Sequence, residues 1–322
     1  MPTVSLVLPT RDAGADFPEI LGAILDQDLQ GELEVIAIDS GSTDGTLDLL
    51  RARPVRLVEI PRSEFDHGAT RNLGVQEARG AFVAFTVQDA RPMDSHWLQR
   101  LVDCFADSRV AGAYSCQIPR ADANPFILER LRNWAGAQLE PRRQEVAGEA
   151  ELMSLAPLDR LRRVAFDNVS SCVRRSVALE IPFRRKRFAE DLDWGYRVVL
   201  AGYAIVFEPR SKVVHSHDRS TWYEFKRIYV DHQNLNDLLG ITTVPTGRSV
   251  VTSTRAAVPA LWRAVREDAR LHPLERLAWR AKALPYAFSQ NLAQFLGARS
   301  AEALRNRSRF YRMLDRVLRK GV

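Results

Sequence analysis

Short uncharged runs alternate with amphipathic stretches along the first two-thirds of the chain. Val4–Leu8, Leu33–Ile38, Val55–Ile60, Ala81–Val87 and Val110–Cys116 are apolar and of strand length. Between them Phe17, Ile20, Leu21, Ile24 and Leu25 recur at helical spacing, a further helix leads through Ala78, and Trp97–Phe105 is amphipathic. Strand and helix alternate with short connections, which predicts a right-handed, mostly parallel α/β layer flanked by helices. Ala81–Val87, rich in Val and Phe, reads as a strand buried on both faces. Residues 119–165 are less regular, rich in Arg, Glu and Pro, and read as a loop-and-helix insertion near a substrate site. Phe166–Val173 is expected to be a strand with Asn168, Ser170 and Ser171 as its polar members. Ala204–Phe207 and Lys212–His217 follow as two more, the second finishing in His215 and His217. The domain expectation is a catalytic layer over 1–220 and a helical region over 221–322.

Ligands of open α/β sheets sit at the carboxyl ends of the strands, so the residues that close each run carry the chemistry. The first run stops at Pro9-Thr10-Arg11. The second ends in Asp39-Ser40-Gly41-Ser42-Thr43-Asp44, where small residues let a ligand approach the backbone. Asp39 could there accept from a ribose hydroxyl or a base N–H. Ala81–Val87 ends in Gln88-Asp89, and Asp89 either serves a ligand, caps the helix expected near Ser95 or fixes a turn before Pro92. Arg71 and Asn72 lie in the first turns of a helix, either facing a nucleotide or serving as a surface arginine and a structural asparagine. Glu190 and Asp191 open another helix, a position the helix dipole favours for acids. Gly-x-Gly-x-x-Gly and Gly-x-x-x-x-Gly-Lys are both missing from the sequence, so neither a dinucleotide fold nor a P-loop is indicated.

Composition is ordinary for a globular protein, with 46% hydrophobic and 27% charged residues. The N-terminus enters a strand pattern directly, without the profile of a signal peptide. Cys104, Cys116 and Cys172 lie far apart without metal-ligand spacing, as expected of reduced thiols in a cytoplasmic protein. The charge is uneven. Residues 255–322 hold fifteen Lys or Arg against five Asp or Glu, an excess of ten, so the net +6 leaves about −4 on the first 254. Arg305, Arg309, Arg312, Arg316 and Arg319 fall on one helical face, and Leu304, Phe310, Tyr311, Leu314, Val317 and Leu318 on the other. Such a basic helical extension either packs on the core or on a second subunit as a homo-oligomer, or lies on an anionic membrane. No nucleic-acid module accompanies the arginines.

Taken in order, Leu6-Val-Leu-Pro-Thr10, Asp39-Ser-Gly-Ser-Thr-Asp44, Arg71-Asn72, Gln88-Asp89-Ala90, Glu190-Asp191 and His215 resemble the family 2 inverting glycosyltransferases with the GT-A fold. The resemblance spans about residues 3–220. Phe65-Asp-His-Gly-Ala-Thr-Arg-Asn-Leu-Gly74, Gln88-Asp-Ala-Arg-Pro92 and His215-Ser-His-Asp218 are most similar to bacterial rhamnosyltransferases of surface-polysaccharide synthesis. In the family the strand usually ends in Asp-x-Asp; here Val87 stands first and Asp89 matches the second, metal-reaching acid. The resemblance implies Mg²⁺ or Mn²⁺ held by Asp89 and a histidine some two dozen residues after the catalytic acid, which is His215, with His217 as second choice. It implies Asp191 as general base. Pro9, Thr10, Arg11, Asp39, Ser40, Gly41, Arg71, Asn72, Gln88 and Asp89 would hold the nucleotide-sugar, with Glu190, Asn168 and Trp194 on the acceptor side. The expected donor is dTDP-rhamnose, and the acceptor a glycan or lipid-linked saccharide. The expected place is the cytoplasm, including the inner face of the plasma membrane.

Two other functions compete. A nucleotidyltransferase shares a nucleotide-binding α/β layer but needs a Gly-rich loop with a nearby cation, of which Pro9-Thr-Arg-Asp-Ala-Gly14 is a thin version. A non-catalytic polybasic adaptor on membrane explains the tail but not acids at three strand or helix boundaries.

Overall fold

The computed structural model describes residues 3–132, 139–186, 188–306 and 308–321. In chain order it runs β1 (Val4–Thr10), α1 (Phe17–Leu25), β2 (Leu33–Asp39), α2 (Thr46–Arg51), β3 (Arg56–Glu59), α3 (His67–Glu77) and β4 (Phe82–Thr86). There follow β5 (Arg91–Pro92), α4 (Trp97–Asp103), β6 (Val110–Ile118), α5 (Pro125–Arg132), β7 (Arg142–Gln144), α6 (Glu149–Ser154), α7 (Pro157–Val164), β8 (Ser170–Arg174) and α8 (Arg175–Glu180). The chain ends with α9 (Glu190–Leu200), β9 (Ala204–Val214), α10 (Thr221–Leu239), α11 (Gly247–Glu267), α12 (Pro273–Arg305) and α13 (Arg309–Leu318).

The strands form one sheet in the order β3-β2-β1-β4-β8-β6-β9-β5, with β7 added beside β9. The β3, β2, β1 and β4 neighbours are parallel, as is β6 beside β9. β8 enters antiparallel between β4 and β6, so the sheet is mixed. Alternation along β1 shows why both faces are covered. Leu6 and Leu8 pack with Phe17, Ile24 and Trp97 on one side. Val7 packs with Ile36, Phe85, Trp194 and Phe207 on the other.

Three expectations are corrected. The runs 204–207 and 212–217 belong to one strand, β9, which bulges so that Glu208 pairs with Ser115 and Lys212 already with Cys116. It stops at Val214, so His215 and His217 lie beyond it. The strand expected at 166–173 begins only at Ser170, leaving Asp167 and Asn168 in the approach to it. The basic tail is two helices, and α13 turns Tyr311, Leu314 and Leu318 inward while Phe310 and Val317 stay exposed.

Backbone contacts divide the chain into two compact units. One comprises Met1–Arg120, Trp134–Leu155 and Asp159–Ser216; the other comprises Ala121–Asn133, Ala156–Leu158 and His217–Val322. The second is helical, with Phe126, Val258, Leu261, Val265, Ala283 and Ala287 as its core. Among the described residues no helix is long and apolar enough to cross a membrane.

Candidate active site

The parallel strands β1, β2, β4, β6 and β9 end on one edge of the sheet, and the antiparallel β8 begins there. Thr86 pairs with Ser170 across β4 and β8, and His215 N–H donates to Ile118 O (2.8 Å) as β6 and β9 close. The polar residues at these ends are tied to one another.

At the β1–β2 end, Asp39 is buried. Its Oδ1 accepts from the N–H of Gly41 (2.9 Å) and Ser42 (2.8 Å), and its Oδ2 from the hydroxyls of Thr10 (2.9 Å) and Ser42 (2.5 Å). A carboxylate has about four acceptor positions, and all are used within the loop. Asp39, expected to accept from a ribose or base, shapes the turn through these bonds, with Thr10 as one of its partners. Ser40 N–H returns to Thr10 O at 3.0 Å, and Gly41 takes φ +89°, where glycine is unstrained. Next to it, Arg11 and Gln88 clamp β1 to β4. Arg11 N–H donates to Gln88 Oε1 (2.7 Å), and Gln88 Nε2 donates to Arg11 O (2.9 Å). Gln88 therefore braces the rim, while the Arg11 side chain stays 40% exposed.

Asp89 Oδ1 lies 3.6 Å from Nε2 of the buried His215. A hydrogen-bond chain assigns the imidazole. Gln117 Nε2 donates to Asp167 Oδ2, which turns Gln117 Oε1 toward His215 Nδ1 at 3.0 Å. An oxygen can only accept, so Nδ1 carries a proton, and in the neutral ring Nε2 carries the lone pair. An imidazole held through its other nitrogen is the usual support of a metal ligand. His217, two residues along the same segment, completes a set whose ligand atoms all lie within 4.8 Å of one another. The donor set of one carboxylate and two imidazoles fits Mn²⁺, and Mg²⁺ with retained water.

Asp191 opens α9. Its Oδ1 accepts from Leu192 N–H (2.8 Å) and its Oδ2 from Asn168 N–H (3.3 Å). Burial, then the negative charges of Glu190 and Asp167, push its pKa well above the ordinary carboxylate range, against the pull of Arg71. The residue before the two acids, Ala189, is left-handed (φ 62°), as is Asp12 (φ 42°) beyond β1; among the described residues these are the two non-glycine positions so strained. Asn168 is buried, and its Oδ1 accepts the Ser171 hydroxyl at 3.0 Å. That bond leaves Asn168 Nδ2 buried without a hydrogen-bond partner.

Other expected site residues are spent elsewhere. Arg71 is buried and donates to Glu190 at 2.6 Å. Asn72 locks both ends of its amide to the backbone of Phe183, at 2.7 and 2.9 Å. Trp194, placed on the acceptor side from sequence, is fully buried, stacks on Phe183 at 5.3 Å and donates to Ile181 O. Asp193 meets Arg197 (2.8 Å) and Lys186 (3.0 Å), which outweigh its burial and hold its pKa low. Gln117, Asp167 and Asp12 were not expected from the sequence. Gln117, near the end of β6, obeys the same strand-end rule and could have been found by it, whereas Asp167 precedes the amino end of the antiparallel β8, which the rule does not flag.

The model of "Glycosyl transferase family 2" matches residues 5–167. The O-antigen chain rhamnosyltransferase RfbN of Salmonella typhimurium is 31% identical over 231 residues, 70% of either chain. WbaN of Salmonella anatum, also an O-antigen chain rhamnosyltransferase, is 32% identical over 234 residues, 71% of either chain. Glucosyl-3-phosphoglycerate synthase from Mycobacterium tuberculosis, solved with Mn²⁺, UDP-glucose and phosphoglyceric acid, superposes with TM-score 0.53 at 18% identity, covering 76% of this chain and 81% of that one. S. aureus TarS 1–349, solved in complex with UDP-GlcNAc, superposes with TM-score 0.51 at 16% identity over 95% of this chain and 92% of that one.

Proposed function

The chain belongs to glycosyl transferase family 2 and is a glycosyltransferase of GT-A architecture, and we propose that it moves L-rhamnose from dTDP-rhamnose to a hydroxyl of a glycan or lipid-linked saccharide. The work is done in the cytoplasm by the sheet-bearing part, residues 1–220, and the transfer inverts configuration. The observation that carries this reading is Asp191, an acid with a raised proton affinity tied through Asn168, Asp167 and Gln117 to the Asp89–His215 pair.

Asp191 takes the proton of the acceptor hydroxyl as that oxygen bonds to the anomeric carbon. The bond from that carbon to the diphosphate breaks, and the nucleoside diphosphate leaves with the electron pair. One base and one displacement turn a β-linked donor into an α-linked product. A positioned base is worth roughly 10²- to 10⁴-fold in rate. The nucleotide lies against the loops Pro9–Arg11, Ser40–Gly41 and Gln88–Asp89, which Asp39 and the Arg11–Gln88 clamp hold in shape, so that binding becomes positioning. Asp89, His215 and His217 would hold Mg²⁺ or Mn²⁺, which when bound supplies positive charge for the departing diphosphate. The solved relative's Mn²⁺ supports that choice of ion. Asn168 Nδ2, buried beside the base, donates to a hydroxyl of the acceptor or of the transferred sugar.

The test is incubation of purified protein with dTDP-rhamnose, UDP-glucose or GDP-mannose and a lipid-linked saccharide acceptor. Release of dTDP with an α-linked rhamnose on the acceptor is expected. In a parallel incubation with dTTP and rhamnose 1-phosphate, release of pyrophosphate would mark a nucleotidyltransferase, and transfer from UDP-glucose alone would replace the donor.

A further inference from the structure

The helical unit carries apolar side chains that its own core leaves out. On α12, Ala283, Ala287 and Asn291 face the core, while Leu274, Leu277, Leu284 and Phe288 remain between 46 and 72% exposed. Their spacing of three, seven and four residues puts all four on one stripe of the helix. α11 adds the exposed Trp262, whose indole N–H donates to Arg280 O at 3.0 Å and whose ring lies 5.4 Å beneath the Arg280 guanidinium. Lys282 Nζ stands 4.5 Å from the Trp279 ring in the same way. Each cation is thus held beside an aromatic ring at the edge of the apolar stripe.

Charge says what covers the stripe. From Arg248 to Lys282 there are eight Lys or Arg and three acids, Glu267, Asp268 and Glu275. All three acids are occupied, Asp268 by Arg270 (2.6 Å), Glu275 by the N–H of His272 (2.8 Å) and Glu267 by Arg132 (3.4 Å). α13 repeats the composition, with exposed Phe310, Met313 and Val317 at i, i+3 and i+7 beside Arg309, Arg312 and Arg316. A second copy would set like charge against like. A surface of anionic lipid presents negative headgroups to the cations and acyl chains to the leucines. Tryptophan beside arginine is the pairing of the membrane–water boundary. The helices can lie on such a surface but none of those described can cross it.

We propose that the helical unit docks on an anionic lipid bilayer, with Leu274, Leu277, Leu284 and Phe288 in the headgroup–acyl boundary and the flanking arginines and lysine on the headgroups. The proposal uses no residue of the sugar-transfer site, and its test contains no sugar. Full-length protein is sedimented with vesicles of phosphatidylcholine alone and of phosphatidylcholine with one part in four phosphatidylglycerol. Binding to the anionic vesicles only, weakening with salt, is expected. Leu277→Ser/Leu284→Ser/Phe288→Ser and Arg280→Glu/Lys282→Glu should each weaken it about ten-fold or more with the melting temperature held. Equal sedimentation with neutral vesicles, no sedimentation at all, or variants that bind like the wild type would overturn it. So would a wild-type dimer that the serine variant dissolves while lipid binding stays absent, since a second copy would then own the stripe.

Discussion

Arg71 Nη1 lies 2.6 Å from Glu190 Oε1, the two side chains 5 and 8% exposed and 119 residues apart in sequence. The pair gives two adjacent acids different work. Glu190 is neutralised by a guanidinium. Asp191, one residue on, is buried beside the charges of Glu190 and Asp167, which outweigh the pull of Arg71 and the Leu192 N–H, so it keeps its affinity for a proton.

Removing one partner of that pair leaves a buried charge alone. Arg71→Met is expected to lower unfolding stability by about 3–5 kcal/mol, measured in urea, and the double variant Arg71→Met/Glu190→Leu to recover most of it. A double variant as unstable as the single one would mean that Arg71 stabilises through something other than Glu190.

Asp191→Asn should lower transfer about 10²- to 10⁴-fold while calorimetry still registers donor binding. The wild-type pH profile has a definite sign. The base must be ionised, and its folded-state pKa is raised, so activity falls as pH drops through a value above the ordinary carboxylate pKa of about 4. Asp167→Asn removes one of the negative neighbours and should move that acid limb to lower pH. A wild-type limb near the ordinary carboxylate value would remove Asp191 from the role.

The sequence made the strand-end acids readable because apolar runs are self-announcing and a polar residue closing one stands out. Asp89 stands out in this way, whereas Asp191 opens a helix and its role comes from the family resemblance. Direction and partnership were not readable. Nothing in Ser170–Arg174 says that the strand enters antiparallel. Glu208-Pro209-Arg210 looks like a break, and only the bulge against β6 shows that the strand carries on through it. Arg71 and Asn72 in the first turns of a helix and Asp39 at a strand's carboxyl end take their nucleotide roles from the family resemblance. Their partners, at 190, 183 and within the loop itself, depend on tertiary contacts that no local pattern encodes.

Asn72 separates those two readings experimentally. Asn72→Ala leaves the N–H and C=O of Phe183 without their partners, which should cost about 1–3 kcal/mol of stability. The KM for donor should stay at the wild-type value. A raised KM with unchanged stability would return Asn72 to the nucleotide.

Gln117 sets the tautomer of His215, and the consequence reaches the metal. Because Asp167 takes a proton donor from the Gln117 amide, the amide oxygen faces Nδ1 and the ring must hold its proton there. Gln117→Leu keeps approximate volume and removes both bonds, so the ring can turn and either nitrogen can carry the proton. Mn²⁺ affinity, read by electron paramagnetic resonance without any sugar present, is expected to fall about 10- to 100-fold. His215→Ala should fall at least as far, and chelation should abolish transfer by the wild type until Mg²⁺ or Mn²⁺ is returned. If Gln117→Leu bound Mn²⁺ as the wild type does while His215→Ala did not, the imidazole would be a ligand oriented by something other than Gln117. If neither variant lost affinity, the ion would have to be sought away from Asp89 and His215 altogether.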